Sequence, residues 1–170
     1  MTEPMRIDPA AIFCRSLAQL SAMLDKTGAA PQLLAARLHP DMLPFAQQVR
    51  AAVSFSLRGC CPLAGLDVAD FSAAASLQEQ IAQTMRYLKD IPVERFDGPL
   101  ERLCRDRAGF ADIALPADEY LSLYILPNFY FHFGMAYAIA RSQGAAIGKG
   151  DFDGYHAYAP GFSFERPAAP

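Results

Sequence analysis

Residues 120–140, YLSLYILPNFYFHFGMAYAIA, decide the fold, because they form a run of 21 residues without a formal charge. As one helix this run would be roughly 30 Å long, about the thickness of a bilayer core. Membrane insertion is disfavoured by Pro127, Asn128 and His132 within the run, and by the lack of a basic cluster at either end. A helix that is apolar on all sides is also typical of the most buried member of a helix bundle, which is our prediction here.

The composition predicts one globular domain. The chain has 170 residues, 52% hydrophobic and 19% charged, and a chain of this size can bury a core without disulfides or metals. A net charge of −3 argues against a nucleic-acid groove, which needs clustered lysine and arginine. None of the four cysteines forms a C-x-x-C pair, and the N-terminal residues MTEPMRIDP lack the pattern of a signal peptide. We therefore expect a cytoplasmic protein with reduced thiols.

Capping residues and apolar periodicity predict three further long helices. Asp8 caps a helix over residues 9–27, in which apolar side chains recur at steps of three and four. Asp41 is expected to cap a second helix over 42–61, which Pro62 ends. The capping box of Ser76 and Glu79 predicts a third helix over 77–90.

The fourth helix contains the uncharged run and is predicted over residues 118–143. Its acidic first turn suits a helix N-terminus, and Pro127 is expected to kink its interior and to free the carbonyl group of Leu123. Before it, residues 110–115 could form a strand of a small hairpin whose turn is Arg107-Ala-Gly109. After it, the chain from Ala145 shows no helical period.

Together these elements predict an all-α four-helix bundle with long connections and at most one short hairpin before the last helix. The predicted domain comprises residues 1–154. Residues 155–170 are expected to form a C-terminal tail rich in glycine, proline and aromatic residues.

Three stretches resemble a known bacterial family. They are Ala36-Arg-Leu-His-Pro-Asp-Met42, Leu126-Pro-Asn-Phe-Tyr-Phe-His132 and Gly148-Lys-Gly-Asp-Phe152. They are similar to an uncharacterised domain-of-unknown-function family within the DinB-like superfamily of four-helix bundles. The resemblance covers about residues 9–154, and the string that ends at His132 is its most specific part.

The resemblance implies where a metal site would lie. Many DinB-like proteins hold a metal with three histidines, one from helix two and two from helix four at positions i and i+4, and their relatives include thiol-cofactor-dependent transferases and isomerases. The corresponding residues here are Gln48, Asn128 and His132. Amide side chains are poorer ligands for zinc or nickel than imidazole, so we expect a degenerate metal site without metal or cofactor.

The same residues define a candidate polar pocket, to which Tyr124 is added. Asn128 and His132 share a helix face because they are four residues apart. They can form a hydrogen-bonded core network with Gln48, the interpretation that we favour, or line a small-molecule pocket; a metal or general-base role for His132 is the third alternative. We expect His132 to be largely buried and neutral, bonded to Gln48 or Asn128, with a lowered pKa.

The other polar candidates carry weaker signals. His39 and His156 are expected at the surface. Cys14 is expected in the core. Cys104 lies between Arg102 and Arg105, so its thiol is either incidental or made reactive by a lowered pKa.

Two functional hypotheses remain open. The first is a homodimer that is non-catalytic or binds a small molecule, and that pairs through an apolar helix face or through the aromatic tail. The alternative is a DinB-like enzyme, metal-assisted or thiol-cofactor-dependent, that transfers or hydrolyses a group on a small molecule. Neither hypothesis involves nucleic acid or a membrane.

Overall fold

A computed structural model describes residues 8–99, 102–159 and 161–165. The start of the predicted domain (residues 1–7) and part of the predicted tail (residues 160 and 166–170) lie outside the described residues. The chain is mostly helical, with one two-stranded hairpin among the described residues. In order, the elements are α1 (Pro9–Thr27), α2 (Pro31–Ala35), α3 (Phe45–Leu63), α4 (Leu77–Lys89), a 3₁₀ turn (Val93–Phe96), β1 (Leu103–Ala108), β2 (Ala111–Pro116), α5 (Ala117–Glu119), a π-helical segment (Tyr120–Ile125), α6 (Leu126–Ser142) and α7 (Lys149–Asp153).

The first and third long helices lie where the sequence predicts them. Asp8 Oδ1 accepts a hydrogen bond from the Ala11 amide at 3.2 Å, and Gly28 ends α1 with a left-handed backbone. Ser76 Oγ accepts from the Glu79 amide at 3.1 Å at the start of α4. Both helices therefore begin at capping side chains that satisfy otherwise unpaired amides.

Helix α3 differs from its prediction at both ends. It begins at Phe45 with Pro44 as its N-cap residue, because Asp41 bonds to His39 instead of capping a helix. Pro62 lies inside its last turn and does not end it. A proline at this position leaves the Arg58 carbonyl without its helical donor. The Tyr120 hydroxyl lies 3.0 Å from that carbonyl oxygen, within hydrogen-bond distance, and the helix continues to Leu63.

The structure has a π-helical segment before Pro127 in place of the predicted kink. The chain forms the π-helical segment immediately before α6, and the Leu126 amide donates to the Leu121 carbonyl, five residues back. Pro127 is then the second residue of α6, where a missing amide donor costs little. The interior proline that was expected to bend one α-helix thus marks the boundary between π and α geometry.

The hairpin that the sequence predicts before the last long helix is present, with a different turn. Strands β1 and β2 are antiparallel and Ala108 pairs with Ala111, so the loop consists of Gly109 and Phe110 alone. Gly109 has φ 61°, as a two-residue hairpin loop with glycine in its first position requires. The expected turn at Arg107-Ala-Gly109 is therefore wrong, since Arg107 and Ala108 belong to β1.

The core lies between α1, α3, α4 and α6. Its largest fully buried side chains include Phe13, Phe45, Phe129 and Phe133, and the rings of Phe13 and Phe129 meet edge to face at 5.0 Å. The expectation of no helix after Ala145 is wrong, because α7 packs on α1 and its Phe152 ring lies 4.4 Å from that of Phe133. Among the described residues, no helix combines the length and apolar character needed to span a membrane.

Candidate functional site

A cleft of about 350 Å³ opens between α3, the π-helical segment with α6, and the hairpin turn. It contains three of the four residues of the candidate polar pocket, while Gln48 lies behind His132, bonded to it. The cleft is lined by Phe55, Arg58, Arg107, Ala108, Gly109, Tyr124, Asn128 and His132. The sequence-predicted residues are therefore brought together, and the hairpin closes a side of the cleft that they alone would leave open.

A chain of hydrogen bonds fixes the orientation of His132. Gln48 Nε2 donates to the Leu43 carbonyl at 3.3 Å, which turns Gln48 Oε1 toward the imidazole. His132 Nδ1 lies 2.7 Å from that oxygen, and because an amide oxygen only accepts, Nδ1 must carry the proton. In the neutral ring, Nε2 then keeps its lone pair. Gln48 is buried and acts as an orienting group rather than a ligand contact.

The environment of His132 favours the neutral ring. Burial holds the pKa of His132 below its usual value, and the nearby positive charge of Arg58 lowers it further. The Phe55 ring stacks on the imidazole with a centroid distance of 5.5 Å. The Arg58 guanidinium lies 4.3 Å from the centre of the same Phe55 ring. Because the ring is neutral, His132 Nε2 can accept a hydrogen bond without first losing a proton.

Replacing His132 tests this arrangement. We expect His132→Phe to fold and to lose roughly 1–3 kcal/mol at pH 7.5, because Gln48 Oε1 loses its donor. In the unfolded wild-type chain, His132 becomes protonated below about pH 6.5, whereas in the folded chain its lowered pKa keeps it neutral to a lower pH. The free energy of unfolding should therefore be highest above about pH 6.5 and should decline as the pH falls through the folded pKa of His132. Urea unfolding between pH 5.5 and 7.5 measures both effects. The exposed-site control His39→Phe should keep the decline, and an equal decline in His132→Phe would show that His132 is not its source.

Sequence reasoning missed a second polar network at the base of the hairpin. Arg58 Nε donates to Asp106 Oδ2 at 2.9 Å, and the two side chains form an ion pair in which Nη2 lies 2.7 Å from the same oxygen. Nη2 donates to the Tyr124 hydroxyl at 2.7 Å. The Tyr120 hydroxyl is 3.0 Å from the same carboxylate oxygen. Arg58 is the only charged residue in the otherwise uncharged stretch 51–63, and that isolation is the signal that could have found it.

Asn128 lines the cleft and has its amide oxygen free to accept a hydrogen bond. Its Nδ2 donates to the Tyr124 carbonyl at 2.7 Å, one turn back along the helix, which leaves Oδ1 as an acceptor. The cleft therefore offers acceptors at Asn128 Oδ1 and His132 Nε2. Arg107, which forms no ion pair with any described residue, supplies a cation at the rim.

The residues at the ligand positions that the family resemblance implies do not fit a divalent transition metal. They comprise one imidazole and two amides, and the Gln48 carbonyl oxygen is directed at His132 Nδ1 rather than at a shared point in the cleft. Within residues 8–99, 102–159 and 161–165, no group of three or more histidine, cysteine, aspartate or glutamate side chains is placed to hold a metal ion.

The remaining candidates lie away from the cleft. His39 bonds to Asp41, and His156 bonds to Asp153 near the end of α7; both histidines are exposed. Cys14 and Cys104 are buried, and burial raises the pKa of the Cys104 thiol more than Arg102 lowers it. The alternative of a reactive, low-pKa Cys104 is therefore wrong.

Comparison with known families now identifies the chain. The model of a domain of unknown function, DUF1993, matches residues 9–153. The chain belongs to the DUF1993 family. Its fold also matches the crystal structure of a DinB family member protein from Shewanella denitrificans, with a TM-score of 0.75 and 27% sequence identity over 88% of this chain and 92% of that one. No curated protein matches this DUF1993 chain. The predicted membership of a domain-of-unknown-function family within the DinB-like superfamily is confirmed.

Proposed function

We propose that this DUF1993 protein binds a small molecule in the cleft beside His132 and acts as a non-catalytic homodimer in the cytoplasm. The observation that carries the proposal is the hydrogen bond between Gln48 and His132 Nδ1 at the edge of a cleft of about 350 Å³ that His132 lines, because this bond leaves Nε2 of the neutral ring free to accept a hydrogen bond. The binding unit is residues 1–154 as a four-helix-bundle domain, with residues 155–170 as an appended tail.

The lining of the cleft defines the ligand class. His132 Nε2 and Asn128 Oδ1 accept hydrogen bonds, so the inner end of the ligand must carry an O–H or N–H donor. Arg107 at the rim lacks an ion-pair partner among the described residues, which favours a carboxylate at the outer end. We therefore propose a small hydroxy or amino acid as the ligand, held at what was a metal site in related DinB-like proteins and is degenerate here.

A matched pair of probes tests the cleft. By isothermal titration calorimetry, 4-hydroxybenzoate should bind about tenfold more tightly than benzoate, because only the former has a donor for His132 Nε2. His132→Phe should remove the difference between the two probes, while the distant control His39→Phe should keep it. Equal affinities of wild-type protein for the two probes, or no binding of either at millimolar concentration, would contradict the proposal.

One observation favours the alternative of a DinB-like enzyme. The lone pair on His132 Nε2 is positioned as a general base, whether for a metal-assisted or a thiol-cofactor-dependent reaction. Elemental analysis of protein purified without chelators separates the two functions. Stoichiometric zinc, nickel or iron that His132→Phe removes would favour the enzyme, and its absence in both proteins would favour the binding protein.

The homodimer is the other part of the proposal, with neither nucleic acid nor membrane as a partner. Its support is the number of large apolar side chains that the described chain leaves exposed, among them Leu123, Phe131 and Phe164. The acidic net charge of −3 disfavours nucleic acid as an alternative use of these surfaces. Sedimentation at micromolar concentration should show a dimer.

A further inference from the structure

One exposed helix face is uncharged along its whole length. Along the π-helical segment and α6, a row of uncharged side chains points away from the core, with Leu123 70% and Phe131 53% exposed. We call this row the α6 stripe. Its members are exposed or half-buried, and they are Leu123, Pro127, Tyr130, Phe131, Gly134 and Ala138. A contiguous apolar row of this kind is typical of an interaction surface.

Gly134 gives independent evidence for close approach by another molecule. Glycine inside a helix costs about 1 kcal/mol relative to alanine. No atom lies within 4 Å of where a Cβ at Gly134 would stand, so packing within the chain does not require glycine there. A second backbone or a bulky side chain seated against α6 would require it.

The charged residues at the two ends of the stripe favour a second copy of this chain as the molecule that binds it. Asp118 and Glu119 precede the stripe, Arg141 follows it, and residues 120–140 between them carry no formal charge. A second copy laid antiparallel would bring the acidic end of each helix to the basic end of the other, whereas a parallel copy would bring like charges together. All three charged residues are exposed.

The stripe is also symmetric about the midpoint between Tyr130 and Phe131. Under a twofold axis through that point, Leu123 faces Ala138 and Pro127 faces Gly134, so a larger residue meets a smaller one in these two pairs. At the axis itself, Tyr130 of each copy faces Phe131 of the other. Self-complementarity of this kind is what a twofold interface requires. We propose that the α6 stripe is the dimer interface of this protein, pairing antiparallel with the same stripe of a second copy. The inference rests on the homodimer of the proposed function and names its surface.

Two glutamate substitutions distinguish this surface from the aromatic tail. In sedimentation equilibrium, Phe131→Glu should raise the dimer dissociation constant by roughly 100-fold or more, because each copy would bury a charge opposite the other. Phe164→Glu, at an 81% exposed tail residue, should leave it unchanged. Circular dichroism should show both variants folded. Dissociation by Phe164→Glu instead would assign the interface to the tail and overturn the inference. A monomeric wild type would overturn the homodimer as well, whereas ligand binding in the cleft is measured separately.

Engineered cysteines test the orientation. All four native cysteines are buried, so the introduced thiols dominate cross-linking. Under oxidation with copper–phenanthroline, Leu123→Cys/Ala138→Cys should form a covalent dimer. Leu123→Cys alone should not, because an antiparallel pair holds its two copies roughly 20 Å apart, beyond the reach of a disulfide. Cross-linking of Leu123→Cys alone, or failure of the double variant, would overturn the antiparallel arrangement.

Discussion

Asp106→Ala should lower the free energy of unfolding by roughly 2–4 kcal/mol and detach the hairpin from α3. The carboxylate accepts a hydrogen bond from Arg58 Nε at 2.9 Å, forms an ion pair with Nη2 at 2.7 Å, and lies 3.0 Å from the Tyr120 hydroxyl. Both charged side chains are largely buried, so alanine at 106 leaves the guanidinium without its counter-charge in a poorly solvated place. Urea unfolding gives the loss, and hydrogen exchange of the β1 amides reports detachment.

Two further variants make the interpretation specific. Asp112→Ala changes an exposed carboxylate on the other strand, paired in register with Arg107, and should cost less than about 0.5 kcal/mol. Arg58→Leu/Asp106→Leu removes both charges and should recover at least part of the lost stability. If Asp106→Ala and Asp112→Ala were equally stable, the Arg58–Asp106 pair would have no role in holding the hairpin.

Phe129→Ala should cost about 3–5 kcal/mol, the range for an aromatic side chain removed from a closed core. Phe129 is fully buried, and its ring contacts Phe13 at 5.0 Å and Phe133 at 6.3 Å. The resulting cavity would lie between α1 and α6, where neighbouring helices cannot collapse to fill it. Denaturant unfolding with an unchanged m-value would measure the loss.

The control for this substitution is Phe110→Ala at the hairpin tip, where the side chain is 98% exposed. It removes the same atoms without forming a cavity and should change stability by less than about 0.5 kcal/mol. A loss below about 1.5 kcal/mol for Phe129→Ala would mean that the α1–α6 contact is not the tightly packed centre of the core.

Local signals in the sequence predict most of the helices. Apolar spacing and side-chain caps predict α1 and α4 closely, because each cap is formed within four residues. The start of α3 escapes prediction because Asp41 has a nearer partner in His39. The hairpin loop differs by only two residues, since a lone glycine does not indicate which of its neighbours pair.

The candidate site is predictable only in part, for a physical reason. Gln48 and His132 are found together because the family resemblance relates both to positions that share one site in other proteins. Arg58 and Asp106 are 48 residues apart and belong to no such pattern, so their pairing depends on tertiary structure alone. The Arg58 carbonyl is available to Tyr120 because Pro62 has no amide hydrogen to donate to it. Tyr120 lies in a separate stretch of the sequence from Arg58 and Pro62, so no local pattern predicts the contact.

The π-helical segment has a consequence for how insertions and deletions affect this family. Tyr120 and Ile125 are both buried although they are five positions apart, and an α-helix would turn the second about 140° away from the first. Removing one residue between them would leave the two positions four apart, and α geometry keeps such positions within about 40° of each other. The deletion should convert the segment to α geometry and leave Tyr120 facing Asp106 and the Arg58 carbonyl. A family member with one residue fewer in this segment should therefore keep the proline at 62 and the carboxylate at 106.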